Sequence, residues 1–409
     1  MNPRRVVVTG SGVITSIGRN RVEFWKNLIA GRTGIGPFDL FDPTGFRVQI
    51  AAQVRNFSGA DYFCRREIQR LSRADLFGLI AAREAIGDAG LEKGFESPDR
   101  VAVFLGAAAG GSYPAEIYRQ EVYQQEKGRH PAFLLSFPFC GLTDQIGNRY
   151  GLFGPRATVN TACSSTITAI GLGFDWIRDG SVDFAITGGT ESLSLLTFSG
   201  FNTLKALDPQ PCRPFDRQRQ GLSLGEGAGM LILEPLERAL ARGAKIVAEI
   251  LGYGTSADAH HITAPHPEGY GAVLSMRRAI LQAGIAESAV DFISAHGTAT
   301  PANDPIETTA IKQVFGERAS RIPVTSIKSS IGHCLGAAGV LGSQAAVLAL
   351  LHGVLPPTLH FKERDPDCDL DVVFNRAREK EVDTVLCNAF AFGGNNSSII
   401  FSKLRGHHD

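Results

Sequence analysis

Two hydrophobic periods alternate along this chain. Arg5-Val-Val-Val-Thr-Gly, Arg100-Val-Ala-Val-Phe-Leu-Gly106 and Val290-Asp-Phe-Ile-Ser-Ala-His-Gly297 carry apolar runs too short for helices, and they predict strands with little exposure on either face. Residues 21–31, 75–91 and 270–285 instead place apolar side chains at helical spacing, the first of them closed by Gly31. The second and third helices both end in Ala-Gly-aliphatic and are both followed by one of these strands. That echo predicts a duplicated α/β architecture, each half a mostly parallel sheet flanked by helices. An irregular Pro-, Arg- and Gly-rich loop, residues 206–229, leads into a strand at Met230 to Glu234. The join is expected between Ala241 and Ile250, giving an N-terminal half of 1–245 and a C-terminal half of 246–409. With no low-complexity linker, the halves should be tightly fused.

A second apolar pattern runs from Leu335 to Leu351, broken by Gly336, Gly339, Gly342, Ser343 and Gln344. It is short for a membrane span and reads as a tightly packed interior helix, so no membrane is expected as a partner. Composition changes the picture little. The 409 residues hold 44% hydrophobic residues, enough to bury two cores, while 41 basic and 41 acidic residues cancel and give no sign of nucleic-acid binding. Seven widely spaced cysteines without a Cys-x-x-Cys pair argue against a zinc site and against a disulfide framework. The strand-like start lacks the apolar core of a secretory signal, and a soluble, reducing, cytoplasmic setting is expected. The glycines of Thr9-Gly-Ser-Gly-Val-Ile-Thr-Ser-Ile-Gly18 have the wrong spacing for a dinucleotide loop.

Chemistry concentrates around Thr158-Val-Asn-Thr-Ala-Cys-Ser-Ser-Thr166, which reads as strand, turn and helix start. A thiol at Cys163 would meet the free N–H groups and positive end of that helix, which should lower its pKa and favour the thiolate. His296 follows a strand end, and Asp304-Pro-Ile-Glu307 looks like a capping box with Pro at the first helical position, although Glu307 leaves room for another role. Lys328 and His333 lie just before the apolar helix, where neither could be buried unpaired without cost. His260, His261, His266, His352 and His360 lack such a setting and read as surface or loop. Near the end, residues 386–400 form strand, glycine turn and strand, so Phe392 could offer a backbone N–H to an oxyanion and a ring to a pocket wall.

Thr161-Ala-Cys-Ser-Ser, His296-Gly-Thr-Ala-Thr-Pro, Lys328-Ser-Ser-Ile-Gly-His333 and Phe390-Ala-Phe-Gly-Gly-Asn together resemble, in order, the motifs of the elongating β-ketoacyl-acyl carrier protein synthases of the thiolase superfamily. The resemblance implies a duplicated five-layer α-β-α-β-α fold and a dimer, either of identical chains or with a chain-length-factor-like partner. It implies decarboxylative Claisen condensation in fatty acid or polyketide assembly, on substrates tethered to the phosphopantetheine of an acyl carrier protein, with no metal or redox cofactor. Cys163 would carry the acyl chain; His296 and His333 would stabilise the enolate from the malonyl thioester. Lys328 with Glu307 would position them, the N–H groups of Cys163 and Phe392 would form the oxyanion hole, and Thr298 and Thr300 would hold the pantetheine arm, with Phe390 lining the site. Two departures matter. Ala391 stands where many relatives have Gly, and Ala109 appears where a larger residue can close the acyl pocket, which implies a longer or bulkier chain. Arg65, Arg66, Arg70 and Lys205 are the implied docking cations for an acidic carrier.

Overall fold

The computed structural model describes residues 3–124 and 131–404. The strands of its main sheet are β1 (Val6–Thr15), β2 (Val101–Gly106), β3 (Arg156–Val159), β4 (Phe184–Glu191), β5 (Gly227–Pro235), β6 (Ala248–Ala257), β7 (Phe292–Ser294), β8 (Pro323–Thr325), β9 (Asp371–Val372), β10 (Thr384–Phe390) and β11 (Asn395–Ser402). They form one continuous array in the order β9-β8-β7-β10-β11-β6-β1-β5-β4-β2-β3. Its centre is a short antiparallel seam in which Val6, Val7 and Val8 pair with Ile250, Glu249 and Ala248.

Each side of that seam repeats the other. From outside inward, the first half runs β3-β2-β4-β5-β1 and the second β8-β7-β10-β11-β6, with β9 added at the outer edge. Both are mixed sheets, not mostly parallel ones: β3, β2 and β4 run parallel, as do β8, β7 and β10, while β5, β1, β11 and β6 pair antiparallel. The physical reason lies in the connections. β10 and β11 are joined by a tight turn, which only antiparallel strands permit, whereas β7 and β8 are separated by a helix.

Helices α1 (Arg73–Asp88) and α3 (Tyr270–Ala283) cover the two outer faces, α1 on β1 and β5, α3 on β6 and β11, and α4 (Asn303–Phe315) packs on α3. Helices α2 (Ser165–Arg178) and α5 (Ala338–His352) lie between the sheets: α2 touches β2 and β4 as well as β6 and β11, and α5 touches β10 and β7 as well as β5. This is the five-layer arrangement implied by the motifs. Membership of the middle layer explains the all-round apolar character of α5, in which every residue from Ala338 to Leu350 except Gly342 is buried. The stretch 335–352, the one among the described residues long and apolar enough to cross a membrane, is 83% buried inside the protein. Close approach of α2 to β2 depends on Gly106, where a Cβ would sit 2.6 Å from the backbone of Ser165 and Thr166.

Candidate active site

The middle layer places the chemistry. After β3 the chain makes a 3₁₀ turn over Ala162–Ser164 and enters α2. Ala162 is forced to φ +51°, a strained value for a residue with a Cβ, and hydroxyls hold the elbow. The Ser165 Oγ accepts from the Thr161 N–H at 2.9 Å and donates to the Ala162 carbonyl at 2.6 Å, while Ser164 Oγ donates to the Thr161 carbonyl at 2.8 Å. Cys163 is thereby turned inward and is 7% exposed.

Its neighbours come from the other half. His333 Nε2 lies 3.1 Å from Cys163 Sγ, and the ring of His296 stands 5.5 Å from that of His333 at an interplanar angle of 83°. Backbone clamps fix both imidazoles. The His333 N–H donates to the Ser223 carbonyl at 2.7 Å, and its carbonyl accepts the Gly225 N–H at 3.1 Å. Glu307 accepts the N–H of His296 at 2.8 Å and of Gly297 at 2.7 Å, while Lys328 Nζ donates to the His296 carbonyl. Glu307 and Lys328 thus grip His296 from opposite sides of its peptide.

Two expectations are corrected. The Cys163 thiol is not shifted down: burial pushes it up to about 11, against opposing pulls from Lys328 and from the N–H groups of Phe392 and of Cys163 itself. The thiol sits in a 3₁₀ turn ahead of α2, and desolvation outweighs the helix end. Nor do Asp304 and Glu307 form a capping box, because α4 starts at Asn303 and both carboxylates turn outward to other loops. Asp304 accepts the N–H of Phe215 at 2.7 Å and of Ala299 at 3.1 Å.

Burial, with Lys328 nearby, holds both imidazoles well below the usual histidine range, so each is neutral at neutral pH. Lys328 is itself lowered by burial and raised by Glu307, whose carboxyl is pushed up by burial against the two N–H groups it binds. The site can therefore offer a nucleophilic sulfur, two neutral imidazoles and two backbone donors. Phe392 opens a tight turn that Gly393 completes at φ +79°. The N–H of Phe392 acts on the sulfur of Cys163, and its ring stacks on Phe201 at 5.7 Å and 17°. Ala391 is extended at φ −131°, so its Cβ introduces no strain in this conformation.

A cavity of about 300 Å³ joins these groups, lined among others by Cys163, His296, His333, Thr298, Thr300, Phe390 and Phe392. The hydroxyls of Thr298 and Thr300 lie 2.9 Å apart, and the Phe390 ring is 5.9 Å from that of His296. Lys205 is exposed on the rim between Leu204 and Ala206, both of which line the cavity. The exposed Arg65, Arg66 and Arg70, on and just after a short helix at Arg65–Ile68, do not line it. Ala109 is also outside its lining; it packs with the cluster of Phe38, Leu193 and Phe198, its N–H bound by Glu191. Among the described residues no group of three or more His, Cys, Asp or Glu side chains is placed to hold a metal ion.

Several participants escaped sequence reasoning. Asn388 approaches Glu307 at 3.4 Å and accepts from Ser398 Oγ at 2.9 Å; a polar residue in an otherwise apolar strand was the available signal. Phe201 and the loop 223–225 that holds His333 carry no local pattern that marks them.

The family model "Beta-ketoacyl synthase, N-terminal domain" matches residues 3–239, and "Beta-ketoacyl synthase, C-terminal domain" matches residues 247–362. This chain belongs to the β-ketoacyl synthase family. It is 38% identical over 407 residues to 3-oxoacyl-[acyl-carrier-protein] synthase 2 of Staphylococcus aureus (strain COL), covering 98% of each chain, and 39% identical over 411 residues to the protein of that name in Synechocystis, covering 98% and 99%. Among solved structures it resembles the ishigamide ketosynthase/chain length factor, with TM-score 0.93 and 40% identity over 98% of this chain and 100% of that one. It also resembles a type II PKS ketosynthase in complex with its acyl-carrier protein, with TM-score 0.90 and 32% identity over the same shares. The family's members here are acyltransferases, and ketosynthase chemistry is what the site has to perform.

Proposed function

We propose that this chain condenses an acyl group held on Cys163 with a malonyl group on an acyl carrier protein, yielding a β-ketoacyl carrier protein and carbon dioxide. The observation that carries this reading is the meeting of Cys163, His333 and His296 in one cavity, with the sulfur 3.1 Å from an imidazole nitrogen. In the first half-reaction, sulfur attacks the acyl thioester of the phosphopantetheine arm, and the thiol proton passes through His333 to the departing pantetheine thiolate. A neutral imidazole suits this shuttle, since the buried thiol starts protonated. In the second, the malonyl C–C bond breaks, carbon dioxide leaves, and the electron pair moves onto the thioester carbonyl oxygen as an enolate. Neutral His296 and His333 stabilise that oxygen as hydrogen-bond donors, and the enolate carbon attacks the acyl carbonyl on Cys163. The N–H groups of Cys163 and Phe392 take the oxyanion, the C–S bond breaks, and the Cys163 thiolate takes up one proton from water by way of His333, which ends neutral as it began. One such donor lowers the barrier by about 3 kcal/mol.

Thr298 and Thr300 hold the pantetheine arm, Lys328 and Glu307 position His296, and Phe390 walls the site. Lys205 at the rim, with Arg65, Arg66 and Arg70, meets the acidic carrier. The enzyme works in the cytoplasm, uses no metal or redox cofactor of its own, and divides at 245/246. A second reading is a ketosynthase active only beside a chain-length-factor subunit. It is favoured by the similarity to the ishigamide ketosynthase/chain length factor and by exposed apolar side chains such as Tyr123, Leu135, Phe137 and Leu196. Incubation with acyl and malonyl carrier proteins tests both. A product two carbons longer than the acyl donor is expected; acyl-Cys163 that only hydrolyses in the presence of malonyl carrier protein overturns the first reading. A requirement for a co-expressed partner selects the second.

A further inference from the structure

The loop between β6 and α3 carries three histidines, and one of them shapes a bend whose next residue hydrogen-bonds to the turn that holds Phe392. His261 Nδ1 accepts the N–H of Thr263 at 3.1 Å and of Ala264 at 3.2 Å. These two bonds bend the chain so that the intervening Ile262 carbonyl accepts the Gly393 N–H at 2.8 Å. Gly393 is the next residue after Phe392, whose N–H acts on Cys163. The base of the same loop is fastened to the same turn, because Asp258 donates its N–H to the Gly394 carbonyl at 2.9 Å and accepts from Asn396 Nδ2 at 2.8 Å. Thr263 and Pro265 line the cavity with Cys163.

We infer that His261 is a positioning residue for the condensation: its bare Nδ1 shapes the 261–264 bend, and the bend holds Gly393 so that the Phe392 N–H stays aimed at the reacting carbonyl. This rests on the condensation reading above. A nitrogen that accepts two backbone N–H groups cannot also carry a proton. Without that acceptor both bonds are lost and Ile262 is freed.

The experiment compares wild type, His261→Asn, His261→Gln and His260→Asn, each measured as kcat and KM for condensation at pH 7.5. The asparagine Oδ1 can stand where Nδ1 stands, whereas glutamine carries its acceptor beyond that point. At pH 7.5, His261→Gln should lose roughly fivefold in kcat with little change in KM, as expected for one net hydrogen bond, and His261→Asn should keep most of it. His260→Asn, which leaves the 261–264 bend intact, should keep kcat and KM at wild-type values. Wild-type kcat in His261→Gln, with wild type condensing normally, overturns this inference and leaves the condensation reading intact. A wild-type enzyme that condenses nothing sinks the reading itself.

Discussion

The two halves build the same elbow and put it to different uses. In the first, β3 leads to the 3₁₀ turn Ala162–Ser164 and then α2; in the second, the segment after β8 leads to the 3₁₀ turn Leu335–Ala337 and then α5. Each turn begins at a residue of positive φ, +51° at Ala162 and +40° at Leu335. Cys163 in one half thus corresponds to Gly336 in the other. Around Gly336 the space is taken: a Cβ there would meet Glu191 Oε1 at 2.7 Å and the Ala108 N–H nitrogen at 2.6 Å. Glu191 fills the second elbow and gathers the N–H groups of Ala108, Ala109, Gly110 and Gly336. Duplicated topology supplies two matching turns; a carboxylate plugs one and leaves the other open for a nucleophile. The loops after β2 and β7 repeat the lesson, since Glu191 ties down the first and Glu307 the second, and only the second carries an imidazole.

The largest effect is expected when the open elbow is emptied. Cys163→Ala should abolish acyl-enzyme formation by mass spectrometry and lower condensation by at least about a thousandfold, with melting unchanged within a few degrees. Condensation at wild-type rate would mean that the two elbows do not differ in the way described. Next in size is the carboxylate under His296. Glu307→Gln keeps the shape but turns an N–H donor toward the donors of His296 or Gly297, and kcat should fall about ten- to a hundredfold. Glu191→Gln introduces the same conflict in the plugged elbow, so it should lower the melting temperature while leaving a larger share of kcat than Glu307→Gln does.

The groups beside the two elbows respond to pH with opposite signs. The folded state holds His296 and His333 below the ordinary histidine value of 6.5, so their contribution to stability is present above 6.5 and is lost as pH falls through their depressed values. Glu191 is pushed from 4.5 up to about 7 by burial, against its four N–H donors. Its contribution is complete below 4.5 and is lost as pH rises through about 7, a change of a few kcal/mol at most. Thermal melts from pH 5 to 8 should therefore show Glu191→Gln losing the alkaline decline, and His296→Asn softening the acid one. The reverse assignment would refute this view of the plug.

Much of this was legible in the sequence. The Ala-Gly-aliphatic helix ends, Ala89-Gly90-Leu91 and Ala283-Gly284-Ile285, announced the duplication, and the small residues around Cys163 announced an elbow, because local turn chemistry is written in adjacent residues. What could not be read was the balance of long-range terms. Whether Cys163 is governed by a helix end or by desolvation depends on α5 and the Phe392 turn covering it, neither of which is near it in the chain. Asp304 and Glu307 have the spacing of a cap, yet tertiary donors at Phe215, His296 and Gly297 outcompete the helix terminus. Glu191 carries no motif; it becomes visible only when β4 ends beneath the loop after β2.

The smallest expected effect lies at the surface, where the halves differ in what they present and not in what they bury. Lys205, from the first half, is exposed beside the mouth, whereas the second half contributes Thr298 and Thr300 to the cavity wall. An exposed charge contributes through long-range attraction, which salt weakens, so its loss should appear in KM and not in kcat. Lys205→Glu is expected to raise KM for malonyl carrier protein about three- to tenfold at low ionic strength, with the difference fading toward 0.5 M salt. Thr300→Val, by contrast, should raise KM by a factor that salt leaves unchanged, since a hydroxyl acts by contact. If both substitutions showed the same salt dependence, the division between an electrostatic mouth from one half and a contact wall from the other would fail.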